Sequence, residues 1–151
     1  MSPSKKDFLR YNGEPALKWR GANHRSFLTR RTIRNSFAKL RETLETYFPG
    51  RQVYLIFGAS EDKNIPGMFA EMKPKIKKLI ATRADHPRAL EPEKIIQLAD
   101  QAGLEFEAVS PVESAFRRAL ELSAKDGSIV LSAGSMFVTA EVMKAWNEIN
   151  R

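Results

Sequence analysis

Apolar residues along the chain follow two spacings, one typical of buried strands and one typical of helices. Short apolar runs predict strands at residues 53–57, 79–82, 106–109 and 129–131. Each run is followed by a segment with apolar residues three or four positions apart, which predicts a helix with one buried side. Strands that alternate with helices are typical of a parallel sheet covered on both faces. We therefore expect an α/β fold: a Rossmann-like three-layer domain with a mainly parallel sheet flanked by helices.

Proline and glycine mark the ends of the predicted helices. A first helix is expected from Thr29 to the Pro49-Gly50 stop, and Pro66, Pro92 and Pro111 each open a later helix. A closing helix is expected over residues 138–149. The residues expected on the buried sides are Ile33, Phe37, Leu40, Leu44 and Tyr47; Met68, Phe69 and Met72; Ile95, Ile96, Leu98 and Ala99; Val112, Ala115, Phe116, Ala119, Leu120 and Leu122; and Val142, Met143, Trp146 and Ile149.

The first 28 residues follow neither spacing. They are polar and contain Pro3, Gly13 and Pro15, so we expect a poorly ordered or irregular basic arm over residues 1–28, with a possible short strand near residues 16–19. The domain proper is expected over residues 29–151. Residues 1–51 hold 12 Lys and Arg against 4 Asp and Glu, whereas residues 52–151 hold 13 against 14. The excess positive charge therefore belongs to the first third of the chain.

Four arginines cluster near the start of the first predicted helix, at positions 25, 30, 31 and 34. Cations there oppose the helix dipole, which leaves two interpretations open: binding of phosphate or nucleic acid, or a solvated basic face. We favour the solvated face, because no RNA-binding motif accompanies the cluster and the positive charge does not extend over the domain. Nucleic acid is therefore not the expected partner.

The composition excludes several classes of site. The 151 residues include no cysteine, so disulfides, thiolate metal sites and a cysteine nucleophile are ruled out. His24 and His86 lack a third ligand at a suitable spacing, and we expect no metal site. No apolar run approaches the roughly 20 residues that span a bilayer, and the start of the chain has no signal peptide. We expect a cytoplasmic protein without membrane contact.

Two polar segments follow predicted strands and mark a binding edge. Residues 58–64 follow the first predicted strand, and residues 132–137 follow the fourth. Ligands of open α/β sheets bind beyond the carboxyl ends of the strands. The Lys63 ammonium suits a carboxylate or phosphate, and the Ser135 hydroxyl with loop N–H groups suits an anion.

Three segments resemble, in order and at suitable spacing, the C-terminal domain of folylpolyglutamate synthase/dihydrofolate synthase, an enzyme of the Mur ligase superfamily. They are Gly-Ala-Ser-Glu-Asp-Lys-Asn-Ile-Pro-Gly-Met (58–68), Ile-Ala-Thr-Arg-Ala-Asp-His-Pro-Arg-Ala (80–89) and Leu-Ser-Ala-Gly-Ser-Met-Phe-Val-Thr-Ala-Glu-Val (131–142). The resemblance extends from about Thr29 to Ile149. It implies a glutamate-ligase domain that orients glutamate and closes over ATP held by a separate ATPase domain. In the intact family enzyme, which uses ATP and Mg with glutamate and folate as substrates, a carboxylate becomes an acyl phosphate that an amino group attacks.

The resemblance also assigns roles to single residues. It implies substrate binding by Lys63, Ser135, Phe137 and His86, and nucleotide contacts by Arg83 and Arg88, with no catalytic or metal-binding residue in this part of the enzyme. Each has a structural alternative. Lys63 and the two arginines would then be solvated, His86 would lie in a turn beside Asp85, and Ser135 and Phe137 would pack as part of a loop.

Two departures from the family pattern set limits on this interpretation. Arg20-Gly21-Ala22-Asn23-His24 stands where the family has Asp-Gly-Ala-His-Asn, and an arginine cannot accept hydrogen bonds or bind a cation as an aspartate does. The chain also lacks a Gly-x4-Gly-Lys-Ser/Thr phosphate-binding loop. We therefore expect the chain to be inactive alone, to bind no cofactor tightly and to need an ATPase domain from a longer or a separate chain. The alternative function is a stand-alone, non-catalytic module that binds an anion, an amino acid or nucleic acid.

Overall fold

A five-stranded sheet organises the molecule. The structure is a computed structural model that describes residues 8–10 and 36–149. The strands are β1 (Phe8–Arg10), β2 (Val53–Phe57), β3 (Ile76–Ala81), β4 (Phe106–Ala108) and β5 (Ile129–Ala133). They lie in the order β1-β5-β2-β3-β4, and every neighbouring pair is parallel.

Five helices cover the two faces of this sheet. They are α1 (Ser36–Tyr47), α2 (Ile65–Met72), α3 (Pro92–Gln101), α4 (Val112–Asp126) and α5 (Met136–Ile149). The side chains of α1, α2 and α3 pack on one face of the sheet, and those of α4 and α5 pack on the other. Because both faces are covered, β2 and β5 are buried along their whole length, which explains their continuous apolar runs. The predicted Rossmann-like three-layer fold is confirmed.

The direction of chain winding changes between β2 and β5. From β2 the chain moves through β3 to β4, and α4 then returns it to β5 on the other side of β2. The helix after β2 packs on one face, and the helix after β5 packs on the opposite face. This arrangement leaves a crevice at the carboxyl ends of β2 and β5, which is where ligands bind in open α/β sheets.

Local sequence accounts for the helix ends. Pro66 lies in the first turn of α2, where the Asn64 side chain accepts a hydrogen bond from Gly67 N at 3.3 Å. The α4 helix ends at Gly127, whose φ of 75° suits glycine and whose N–H donates to Ser123 O at 2.8 Å. The first cap fixes where the chain enters α2, and the second fixes where it leaves α4 toward β5.

Several predicted bounds were wrong by a few residues. Strand β3 begins at Ile76 rather than at residue 79, because the short 3₁₀ turn Lys73–Lys75 leads directly into the sheet. Strand β5 continues to Ala133, and α5 begins at Met136 rather than at residue 138. Phe137 consequently belongs to the first turn of a helix and not to a loop.

Two predicted core residues lie on the surface instead. Tyr47 is 45% exposed, and Phe48, which is 7% exposed, packs in its place because the chain leaves the helix there. Ile149 is 41% exposed at the end of α5, where Ala145 is the last buried residue of the helix. The buried sides of α2, α3 and α4 otherwise follow the predicted spacing.

Strand β1 lies within the predicted N-terminal arm. Residues Phe8–Arg10 pair in parallel with residues 130–132 of β5 and so form one edge of the sheet. The expected strand at residues 16–19, the helix start at Thr29 with Ile33, the arginine cluster, and the segment Arg20–His24 lie outside the described residues. Within residues 8–10 and 36–149, no helix has both the length and the apolar character needed to cross a membrane.

Candidate functional site

The two predicted polar segments meet at the crevice between β2 and β5. Phe57 and Ala133, the last residues of these strands, pair with each other. The chain segments that follow are in such close contact that a Cβ on Gly134 would clash with Gly58 O and lie 2.8 Å from the Phe57 ring. A Cβ on Gly58 would likewise lie 2.6 Å from Val138 Cγ2. The two glycines therefore bring the two segments together.

A third segment, the 84–90 loop after β3, is joined to the 58–64 loop after β2. Leu90 N donates to Ala59 O at 2.9 Å, and Ser60 and Ala89 form an isolated antiparallel bridge. The 84–90 loop is also closed internally, because Ala89 N donates to His86 O at 3.1 Å. Loops from β2 and β3 thus form one connected rim at the carboxyl edge of the sheet.

His86 and Phe137 stack on each other across this edge. Their ring centroids are 4.1 Å apart and their planes differ by 23°. His86 Nδ1 accepts a hydrogen bond from Arg88 N at 3.2 Å, so Nε2 carries the proton of the neutral ring and remains a donor. Phe137 is 45% exposed even in the stack. The pair joins the 84–90 loop to α5 and leaves polar and aromatic surface at the crevice.

Ser135 caps α5. Its Oγ accepts from Phe137 N at 3.1 Å, and its carbonyl accepts from Thr139 N at 3.1 Å. The hydroxyl proton is still available for donation. The serine therefore has a structural role that holds the first turn of α5 in place, and this role is compatible with contact to a ligand.

Lys63 and Arg88 place positive charge on the 58–64 and 84–90 loops. The Ser60 hydroxyl donates to Asp62 at 2.5 Å, and this bond, with a backbone hydrogen bond and the nearby charges of Lys63 and Arg88, lowers the pKa of Asp62. Within the described residues, the Lys63 ammonium has no ion-pair partner. An exposed cation that is free to reorient suits a small anionic ligand.

Arg83 lies beside the crevice but is already engaged. Its guanidinium forms an ion pair with Glu91 at 2.8 Å. Arg83 Nε and the neighbouring Thr82 Oγ1 are buried and have no hydrogen-bond partner among the described groups. The Glu91 ion pair uses Nη1, so the Nε donor is left unused but buried.

The structure brings the predicted site residues to one edge of the sheet. His86 and Phe137 are in direct contact, Ser135 bonds to Phe137, and Arg88 bonds to His86. Lys63 and Arg83 lie on the adjoining loops. Sequence reasoning missed Glu141, whose Oε2 accepts a hydrogen bond from Asp85 N at 3.2 Å. The sequence held no clear signal for it, because Phe137 was expected in a loop before the closing helix and the partner of Glu141 is a backbone N–H on another segment.

Two kinds of ligand set would be needed to hold Mg·ATP, one for the metal ion and one for the triphosphate. The described part of the chain contains no group of three or more His, Asp or Glu side chains that could hold a metal ion. The sequence has no phosphate-binding loop. These residues therefore do not fit Mg·ATP by themselves.

Comparison with known protein families shows the family to which this chain belongs. The family model for the Mur ligase glutamate ligase domain matches residues 34–136, more than half of the chain. The chain belongs to this family. The match includes the 58–64 loop, the 84–90 loop, β5 and Ser135, and it ends at Met136, so Phe137 and Glu141 follow the matched residues. A search of curated proteins finds no match.

Solved structures of folylpolyglutamate synthases share the fold of this Mur ligase domain. The Mycobacterium tuberculosis enzyme, in complex with ADP and AMPPCP, superposes with a TM-score of 0.66 at 21% identity over 82% of this chain. The Thermotoga maritima enzyme superposes with a TM-score of 0.62 at 19% sequence identity over 85% of this chain. The Helicobacter pylori enzyme superposes with a TM-score of 0.59 at 24% identity over 75% of this chain. The matched part is 30%, 30% and 26% of those chains, so this chain spans less than a third of their length.

Proposed function

We propose that this chain is the C-terminal glutamate-ligase domain of a folylpolyglutamate synthase-like, ATP-dependent amide ligase that acts in the cytoplasm. The observation that carries the proposal is the convergence at one crevice of the segments after β2, β3 and β5, three strands that all lie inside the family-matched residues 34–136. In this role the crevice binds glutamate and presents its amino group to an acyl phosphate formed on a second domain. Folate would be the acid that is extended.

The chemistry of the crevice suits an amino acid with two carboxylates. Lys63 supplies a positive charge without an ion-pair partner among the described residues, and the Ser135 hydroxyl and His86 Nε2 supply neutral donors. Phe137 supplies an exposed apolar surface beside them. These groups bind and orient glutamate, and fixed orientation of the amine contributes much of the rate of such a reaction.

ATP would be held mainly by the other domain. Mg·ATP bound there would supply the phosphoryl group that activates the folate carboxylate, but the residues described here do not form its cradle. Arg83 and Arg88 are the groups of this chain that would face the nucleotide when the domains close. Closure would also exclude water from the acyl phosphate.

The experiment that tests this function pairs the full chain with the ATPase domain of a folylpolyglutamate synthase. ADP release is measured with and without glutamate and a reduced folate, and the product is identified by mass spectrometry. The proposal predicts glutamate-dependent ADP release and addition of one glutamate to the folate. The proposal is rejected if no pairing releases ADP and the chain alone binds no glutamate.

A further inference from the structure

Two side chains of α5 hold the 84–90 loop. Phe137 and Glu141 are four residues apart, so they lie on the same face of the helix, one turn apart. Phe137 stacks on His86, and Glu141 Oε2 accepts from Asp85 N. Adjacent residues of the loop are thus bound by adjacent turns of one helix.

The other attachments of this loop do not fix the position of the His86 ring relative to α5. Leu90 N and the Ser60–Ala89 bridge join the far end of the loop to the 58–64 loop. His86 N donates to Ala84 O at 2.9 Å, which closes a turn within the loop itself. Among the described contacts, only the ring stack and the Glu141 bond join residues 85 and 86 to α5.

The ring stack alone is a weak guide to position. Phe137 is 45% exposed and His86 is half-buried, so the rings can slide over each other at little cost in buried apolar area. A hydrogen bond between a carboxylate and a backbone N–H is directional and stronger than a neutral one. The Glu141 bond therefore supplies the directional restraint that the stack lacks.

We infer that Glu141 is a positioning residue, which fixes His86 against Phe137 through the Asp85 backbone N–H. This inference rests on the proposed function for its purpose, since it presents His86 Nε2 to glutamate in the crevice. Sites held to within about 0.5 Å bind and react more effectively than sites whose supporting residues are loose.

Nuclear magnetic resonance of the full chain tests the positioning directly. The chain has two histidines, so a His24→Gln variant identifies the His86 ring signals. Spectra of all variants are recorded at the same pH. The stack predicts that the His86 ring protons are shifted upfield by the Phe137 ring. The Glu141→Ala variant is expected to lose this shift, and Glu141→Gln, which keeps an acceptor oxygen, is expected to retain it.

Glu148→Ala is the matched control. It removes the same charge from the exposed far end of the same helix and should leave the His86 signals unchanged. A Glu141→Ala variant that keeps the upfield shift would overturn the inference. If that variant does not fold, hydrogen exchange of the Asp85 amide in the wild-type chain tests the bond instead. Asp85 is exposed, so its amide proton should exchange slowly only if it is hydrogen-bonded. A slowly exchanging amide supports the bond to Glu141, and a rapidly exchanging one overturns it.

Glutamate binding separates this inference from the proposed function. If the site binds glutamate, Glu141→Ala should weaken the affinity about tenfold while Glu141→Gln retains it. If Glu141→Ala loses the ring shift but binds glutamate with unchanged affinity, the positioning of His86 does not serve glutamate binding, and that part of the inference is overturned. Absence of glutamate binding by the wild-type protein, alone and with the ATPase domain, would reject the proposed function and leave the NMR test of positioning intact.

Discussion

The two ends of the parallel sheet satisfy their polar groups in opposite ways. At the amino end, Asp126 accepts from Lys77 Nζ at 2.5 Å, from the Tyr54 hydroxyl and from Ser128 N at 2.8 Å. Burial acts to raise the pKa of Asp126, but these hydrogen bonds outweigh it and hold the pKa far below its ordinary value. The polar groups at this end bind one another and join α4 to two strands, β2 and β3.

At the carboxyl end, the polar groups are held mostly by backbone and remain available. Ser135 and His86 accept from N–H groups of their own segments, and Lys63 has no ion-pair partner among the described residues. The close approach of Gly58 and Gly134 sets the shape of this end. The charged groups at the amino end are thus paired with one another and stabilise the fold. The carboxyl end combines a fixed backbone with hydrogen-bond donors that are available to a ligand, as a binding site requires.

The largest effect is expected from Gly134→Ala. The new Cβ would clash with Gly58 O and crowd the Phe57 ring, and φ at this position is +102°. We expect a loss of roughly 3–5 kcal/mol in the free energy of unfolding, measured by urea titration. Gly127→Ala is the matched control, because φ is +75° there but nothing lies within 4 Å of the added Cβ. It should cost only about 1–2 kcal/mol. Equal losses would show that the close approach of the two segments is unimportant.

The next largest effect is expected from Asp126→Ala at the amino end. Lys77, Ser128 N and the buried Tyr54 hydroxyl would lose their acceptor. We expect a loss of about 2–3 kcal/mol by urea unfolding, without loss of glutamate binding. Asp100→Ala, which removes an exposed carboxylate from α3, should change stability by no more than about 0.5 kcal/mol. A small effect in Asp126→Ala would contradict the role assigned to this cluster.

A pH dependence should accompany the Asp126 effect. Because folding lowers the pKa of Asp126, its contribution is complete above the unfolded aspartate pKa of about 3.9 and is lost as the pH falls below it. The pKa of Glu107, which burial raises but Lys78 and Arg118 lower more strongly, also falls on folding and adds in the same direction. The stability difference between wild type and Asp126→Asn isolates Asp126. It should be constant near neutrality and shrink in acid, and a difference that grows in acid would reverse the assignment.

The smallest effect on stability is expected from Lys63→Ala at the carboxyl end. The side chain is exposed, so the free energy of unfolding should change by less than about 0.5 kcal/mol. Glutamate affinity, measured by calorimetry, should fall about tenfold or more, because a charged donor to a carboxylate is removed. Lys94→Ala on α3 is the control and should leave the affinity unchanged. The same affinity in both variants would remove Lys63 from the site.

Sequence predicted the order of elements and the loops that meet at the carboxyl edge of the sheet because both depend on local patterns. The buried run at residues 53–57 and the Pro66, Pro92 and Pro111 helix starts needed no knowledge of the rest of the fold. The edge strand at Phe8–Arg10 was not predicted, because its three residues are set by pairing with β5 rather than by an apolar pattern of their own. Glu141 was missed for the same kind of reason, since its partner is a backbone N–H 56 positions away.

Chemical-shift mapping with L-glutamate separates the two ends of the sheet most directly. The account predicts that L-glutamate shifts the amide signals of residues 58–64, 84–90 and 134–141 in the full chain. The signals of Tyr54, Lys77 and Asp126 should not move, and D-glutamate should have a much weaker effect. Shifts concentrated at the amino end, or equal responses to both enantiomers, would contradict it.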